Sequence, residues 1–155
     1  MGRVEYLNDP AAPEPNSLVP AAGVLASDGR GRVLLQRRRD TGQWAIPMGK
    51  HELGETVAEC AVRETLEETG VLVEVTGLLG IYSDPAHIVA YTDGEIRQEY
   101  EVILTGRPVS GEPAANDEAS AAAWFTPGEL DGLDIHPTQW RQLRDWIGGT
   151  HPHID

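Results

Sequence analysis

Residues 49–71 read GKHELGETVAECAVRETLEETGV, and this stretch decides how the rest of the chain is read. Thr56 followed by Glu59 is a capping box, and Gly70 is a C-terminal stop. A helix is therefore expected over about Val57 to Thr69. On a wheel of about 100° per residue, Glu68 falls about 40° to one side of Glu64 and Glu67 about 60° to the other. Ala58, Val62, Thr65, Leu66 and Thr69 fall opposite, as a face to pack on a sheet. Arg63 lies between and reaches Glu59 or Glu67 at i,i+4. No lysine lies in the helix to balance the carboxylates. An acidic surface helix is the ordinary reading of such a face. The missing lysines, the close-approach glycines Gly49 and Gly54 and the added Glu55 favour a site for hard divalent cations, which take oxygen ligands.

Outside this stretch the composition is that of one globular domain. The chain has 155 residues, 40% hydrophobic and 24% charged, with a net charge of −13. That field repels nucleic-acid backbones and anionic membranes, so neither an extended nucleic-acid surface nor a membrane partner is expected. No apolar run reaches spanning length, and no secretory signal is seen at the start. Cys60, the single cysteine, allows no internal disulfide and fits a small buried hydrophobe. A cytoplasmic location is expected.

Residues 1–16 are expected to form an extended or disordered arm, because 8–16 read NDPAAPEPN. Residues 17–155 are read as a single domain. Leu18–Ala26 and Arg32–Arg38 read as strands joined by the Asp28–Gly31 turn in a hairpin. Further strands are expected at Val71–Tyr82, Ile88–Tyr91, Gln98–Thr105 and Ala121–Phe125. The Asp93-Gly94 turn separates the second and third of these, and a loop is expected over 108–118. A short helix or turn is expected from Pro127, and a terminal helix over Pro137–Ile147 with Leu143 on its buried side. The class is α/β (α+β) with a mixed sheet.

The helix and its approach resemble the Nudix box, G-x5-E-x7-R-E-U-x-E-E-x-G-U, where U is a bulky aliphatic. Here the positions are Gly49, Glu55, Arg63, Glu64, Thr65, Glu67, Glu68, Gly70 and Val71. Every glycine and charged position fits, and Thr65 is the one lapse. Met48 stands where a glycine is common. The resemblance extends over roughly residues 18–147. It implies an α/β/α sandwich of MutT-like architecture and Mg²⁺-dependent (or Mn²⁺-dependent) cleavage of a phosphoanhydride in a nucleoside triphosphate or other nucleoside diphosphate derivative. ADP-ribose or a nucleotide sugar is the alternative substrate, and a non-catalytic nucleotide sensor the alternative role.

By the same resemblance Glu64, Glu67 and Glu68 are expected to hold metal, with Glu55 and the Met48 carbonyl in support, and Arg63 to orient a carboxylate. The general base is Glu64 or else Glu118, which could equally be an added metal ligand. Gly49 lets substrate approach the backbone. Arg37 and Arg39, on one face of their strand, either hold a substrate phosphate or blunt an edge strand with ion pairs. Dimers are common in the family, so a homodimer is among the expected partners beside the small nucleotide substrate.

Overall fold

In the computed structural model, which describes residues 2–155, the elements run β1 (Arg3–Leu7), β2 (Ser17–Ala26), β3 (Val33–Arg38), β4 (Trp44–Ala45), β5 (Met48–Lys50), α1 (Val57–Thr69), β6 (Leu72–Tyr82), β7 (His87–Tyr91), β8 (Ile96–Ser110), β9 (Ala119–Phe125), a 3₁₀ turn (Pro127–Gly132), α2 (Pro137–Gly148) and β10 (His153–Ile154). The large sheet is mixed and is built around β8. That strand lies parallel to β2 along one side and antiparallel to β7 and then β6 along the other. β1 extends the sheet beyond β7, and β5 extends it beyond β2. A small antiparallel sheet runs β4-β3-β9.

Strand alternation divides the interior into two cores. Ala22, Val24 and Ala26 face Cys60 and Ala61 of α1, while Leu25 and Ile103 face Leu143 of α2. One helix on each face of the large sheet makes the α/β/α sandwich.

Three expectations are corrected. Residues 3–7 are no free arm, because β1 pairs with β7 in register from Arg3↔Tyr91 to Leu7↔His87. The prolines of the following segment lack the N–H needed to continue a ladder, so the strand ends there. β2 and β3 do not form a hairpin. A single bridge, Ser27↔Val33, joins them before β2 stays with β8 and β3 crosses to β9. The loop expected from 108 begins later, since Pro108 and Ser110 still pair with β6.

The helix boundaries and both caps are as expected. Thr56 Oγ1 accepts from Glu59 N–H at 3.2 Å, Thr56 N–H donates to Glu59 at 2.7 Å, and Gly70 takes φ 79°. The face it buries is different. Cys60, Ala61, Glu64, Thr65, Glu68 and Thr69 are buried, whereas Leu66 is 44% exposed. The helix turns its rows of small residues toward the sheets, and this carries Glu64 and Glu68 inward. Thr65 suits its aliphatic position because its hydroxyl donates to Ala61 O at 2.8 Å and leaves no unsatisfied group.

Candidate active site

Three carboxylates converge where α1 passes the edge strand β5. Glu64, Glu68 and Glu118 each offer an oxygen, all within 4.8 Å of one another. Gly49 makes the approach feasible, since a Cβ there would fall onto the Glu64 carboxyl group. Met48 is tied in by its backbone N–H, which donates to Glu68 at 3.1 Å. Its side chain points away, to Gln139 and the α2-side core.

Glu118 reaches the cluster through a docked loop. Asn116 Nδ2 donates to Glu68 O at 2.8 Å, and Asn116 Oδ1 accepts from the N–H groups of Glu118 and Ala119. Arg39 Nε donates to Asn116 O at 2.9 Å, so Arg39 holds this loop. Arg37 lies outside, exposed, with Nε donating to Gly42 O. Arg38 is the strand's inward arginine. It lines the cavity, chelates Asp40 and lies within electrostatic range of Glu68 and Glu5. The alternation along β3 was legible, but which of its faces turned inward was not.

Glu67 and Glu55 stand apart from the convergence. Arg63 binds both, Glu67 at 3.2 Å and Glu55 through Nε and Nη2, and also Glu64 at 2.7 Å and Lys50 O at 3.2 Å. One guanidinium thus fixes three carboxylates and the loop that carries Gly49. Bound this way, the Glu55 carboxyl is brought down to about 2 by the Arg63 hydrogen bonds.

Burial, and then the charge of Glu64, push Glu68 up to about 8, against the opposing pull of Arg38 and the Met48 N–H. Burial also raises Glu64, although Arg63 opposes it. Two buried carboxyls that resist ionisation, with a third beside them, are a donor set suited to a hard divalent cation. Such a cation would restore their charged forms. Cys60 packs behind them, fully buried, its thiol pushed up to about 11 by that burial.

The cluster opens into a cavity of about 330 Å³. From Glu64 and Glu68 it extends past Arg38 and Trp44 to Arg3 and Glu5 on β1, Tyr91 on β7, Arg97, Glu99 and Glu101 on β8, and His136 and Gln139 at the start of α2. The sequence reading missed this wall. Its signal was period two: Arg97, Glu99 and Glu101 share a strand face with the core residue Ile103. Trp44 packs edge-on against Phe125 with ring centroids 4.8 Å apart, and Trp124 packs in the α1-side core. Pro85 lies in a separate surface groove.

A family model of the NUDIX domain matches residues 17–146. The chain belongs to the Nudix family. It is 34% identical over 152 residues to a MutT-like protein of Streptomyces ambofaciens, across 96% of this chain and 90% of that one. To an ADP-ribose pyrophosphatase of Methanocaldococcus jannaschii it is 32% identical over 140 residues, across 84% and 75% of the two chains. The fold is similar to a Nudix hydrolase structure from Nitrosomonas europaea, with a TM-score of 0.73, 21% identity and coverage of 92% and 81%. As a Nudix protein with an intact box, the chain is a hydrolase acting on phosphoanhydrides of nucleotide derivatives. No helix among the described residues is long and apolar enough to cross a membrane.

Proposed function

We propose that the protein is a Mg²⁺- or Mn²⁺-dependent pyrophosphohydrolase of a nucleoside triphosphate. The observation that carries this reading is the convergence of Glu64, Glu68 and Glu118 on the matched box. A cavity of about 330 Å³ lies within the range of small-molecule sites.

Glu64, Glu68 and Glu118 would hold the metal, with the Met48 carbonyl beside them. A bound divalent cation lowers the pKa of water and screens the phosphate oxygens. Arg63 fixes the carboxylates that ring this centre. Arg38, between Glu68 and Glu5, is placed to meet a substrate phosphate, in place of the outward Arg37 and the loop-holding Arg39. Glu64 takes the proton of the attacking water, with Glu118 as second candidate. The P–O–P bridge breaks as the new P–O bond forms, and the leaving phosphate carries away the bond pair. Gly49 leaves room for this approach beside Glu64.

A nucleoside diphosphate sugar is the second reading, favoured by the relative from Methanocaldococcus jannaschii. A panel of nucleoside triphosphates, ADP-ribose and nucleotide sugars with Mg²⁺ separates the two by the product released. Turnover that survives Glu68→Gln undiminished would remove the metal-site assignment, and no turnover on any substrate would remove the hydrolase reading.

A further inference from the structure

The far wall of the cavity carries groups that the hydrolysis leaves idle. Arg97, Glu99, Glu101 and Ile103 lie on one face of β8. Ile103 is fully buried in the α2-side core, and the row leading from it to the cavity is charged. Glu99 is 7% exposed and Glu101 5%. Buried carboxyls are costly unless something answers them. Glu101 is answered, since Gln142 Nε2 donates to it. Glu99 Oε1 is buried and has no hydrogen-bond partner among the described residues.

Strand β1 supplies the complement. Arg3 lies opposite Tyr91; its Nη2 donates to Glu5 at 3.4 Å, and its Nε lies 3.7 Å from Asp40, beyond hydrogen-bond reach. Its Nε is also buried and without a hydrogen-bond partner. Arg3 and Glu99 line the same cavity, close enough for the charge of Arg3 to act on the Glu99 carboxyl. An acceptor without a donor and a donor without an acceptor therefore share one wall. At its mouth the Arg97 guanidinium lies 4.8 Å from the Tyr91 ring centroid, a flat surface on which a planar ring can stack. Among the described residues, neither Glu99 nor Glu101 belongs to a group of three side chains placed to share a metal ion.

We propose that this wall is a nucleobase subsite for a guanine edge, in which Glu99 accepts the two adjacent N–H donors and Arg3 donates to the neighbouring carbonyl oxygen. An ionised carboxylate only accepts, so it demands donors. Guanine presents its ring N–H and exocyclic NH₂ side by side, next to O6. Adenine turns a ring acceptor toward the carboxylate, and hypoxanthine lacks the NH₂. A ribose diol also offers donors and acceptors, but it is kept in IMP and broken in dGMP, so the two readings part on those ligands. Burial raises both carboxyls, and Glu101, with the charge of Glu99 added, goes to about 7. The inference rests on the nucleotide reading above and on β1, which lies outside the matched residues 17–146.

Calorimetric titration of the protein with GMP, IMP, AMP and dGMP tests it without requiring turnover. Wild type should bind GMP about ten- to a hundredfold more tightly than IMP, the range for a hydrogen bond to a charged group, and bind dGMP like GMP. Glu99→Gln, which keeps the side-chain shape, should bring the GMP-to-IMP ratio to about one. Equal binding of GMP and IMP by wild type overturns the proposal, as does a ratio that survives the substitution. Discrimination of GMP from dGMP instead, lost in the variant, assigns Glu99 to the sugar and overturns the base assignment. If the variant does not fold, the wild-type ratio alone decides. Selective GMP binding without hydrolysis of any nucleotide leaves this subsite standing while the hydrolase reading falls. Hydrolysis without base selectivity does the reverse.

Discussion

The backbone N–H of Met48 donates to a Glu68 carboxylate oxygen 3.1 Å away and 20 residues further along the chain. This bond clamps the short edge strand β5 against α1 and fixes the end of the acidic face that points into the cavity. It is a neutral donor facing a buried carboxyl whose neighbour Glu64 repels its charge. The clamp orients Glu68 without supplying the positive charge that its ionised form needs. Arg38 supplies part of that charge, and a cation bound beside Glu64 would supply the rest.

Metal should therefore stabilise the fold through Glu68. Ligand linkage gives about 2.7 kcal/mol at a hundredfold excess over Kd, a rise of several degrees in Tm for a domain of this size. Glu68→Gln should lose most of the Mg²⁺-dependent rise. Without metal it should melt no lower than wild type, because the substitution removes a buried carboxyl that resists ionisation. Thermal melts with and without Mg²⁺ measure both effects. An equal rise in both proteins would exclude Glu68 as a ligand.

Arg63 should act on the reaction through the carboxylates it holds. Its planar fork meets Glu55, Glu64, Glu67 and Lys50 O together, which a lysine ammonium cannot do. Arg63→Lys should lower kcat about 10- to 100-fold, the range for lost outer-sphere support of a metal site, and raise the Mg²⁺ concentration needed for half-activity. Nucleotide KM should change little. A variant altered only in nucleotide KM would show that Arg63 meets substrate instead.

What the sequence disclosed depended on the range of the interactions involved. The caps of α1, the Asp93-Gly94 turn and the Glu64–Glu68 spacing are local, so they were legible. Which side of α1 faces inward depends on what it packs against, and there the wheel placed Leu66 inside when it lies half in solvent. Glu118 joined the cluster through Asn116, a bond made 48 residues from its partner Glu68. Glu67 lies outside that convergence, half exposed and held by Arg63 at 3.2 Å. Arg3 and Glu5 were hidden for a similar reason. Nothing beside them in the chain shows that β1 will pair with β7, and the proline-rich residues that follow read as an arm.

Gly49 should tolerate no side chain. Its backbone conformation is ordinary, so the constraint is contact alone: an added Cβ would overlap the Glu64 carboxyl. Gly49→Ala must displace either β5 or Glu64. A misplacement of about 1 Å at a reacting centre costs on the order of a hundredfold in rate. Steady-state kinetics should show that loss, with a far-ultraviolet circular dichroism spectrum like that of wild type. Retained activity would mean that Glu64 has room to move without consequence.

The ion pair that ties β1 to the domain should make stability depend on pH in a bounded window. Burial alone would raise Glu5, but the hydrogen bond from His87 and the charges of His136, His87 and Arg3 overcome it and bring Glu5 down to about 2. His87 moves the other way. Burial lowers it, and the Glu5 bond with the charges of Glu101, Glu5 and Glu99 raises it above its ordinary 6.5. A depressed carboxyl stabilises the fold fully above its unfolded value of 4.5 and loses that contribution as pH falls toward 2. A raised histidine stabilises fully below 6.5 and loses its contribution as pH climbs through the raised value. The two overlap between 4.5 and 6.5. Glu5→Gln should therefore lower Tm most in that interval, by the several degrees that about 3 kcal/mol represents. The gap should narrow toward pH 2 and again on the alkaline side. Melts of both proteins across pH 3–9 measure it, and a gap independent of pH would show that Glu5 contributes by packing and not by charge.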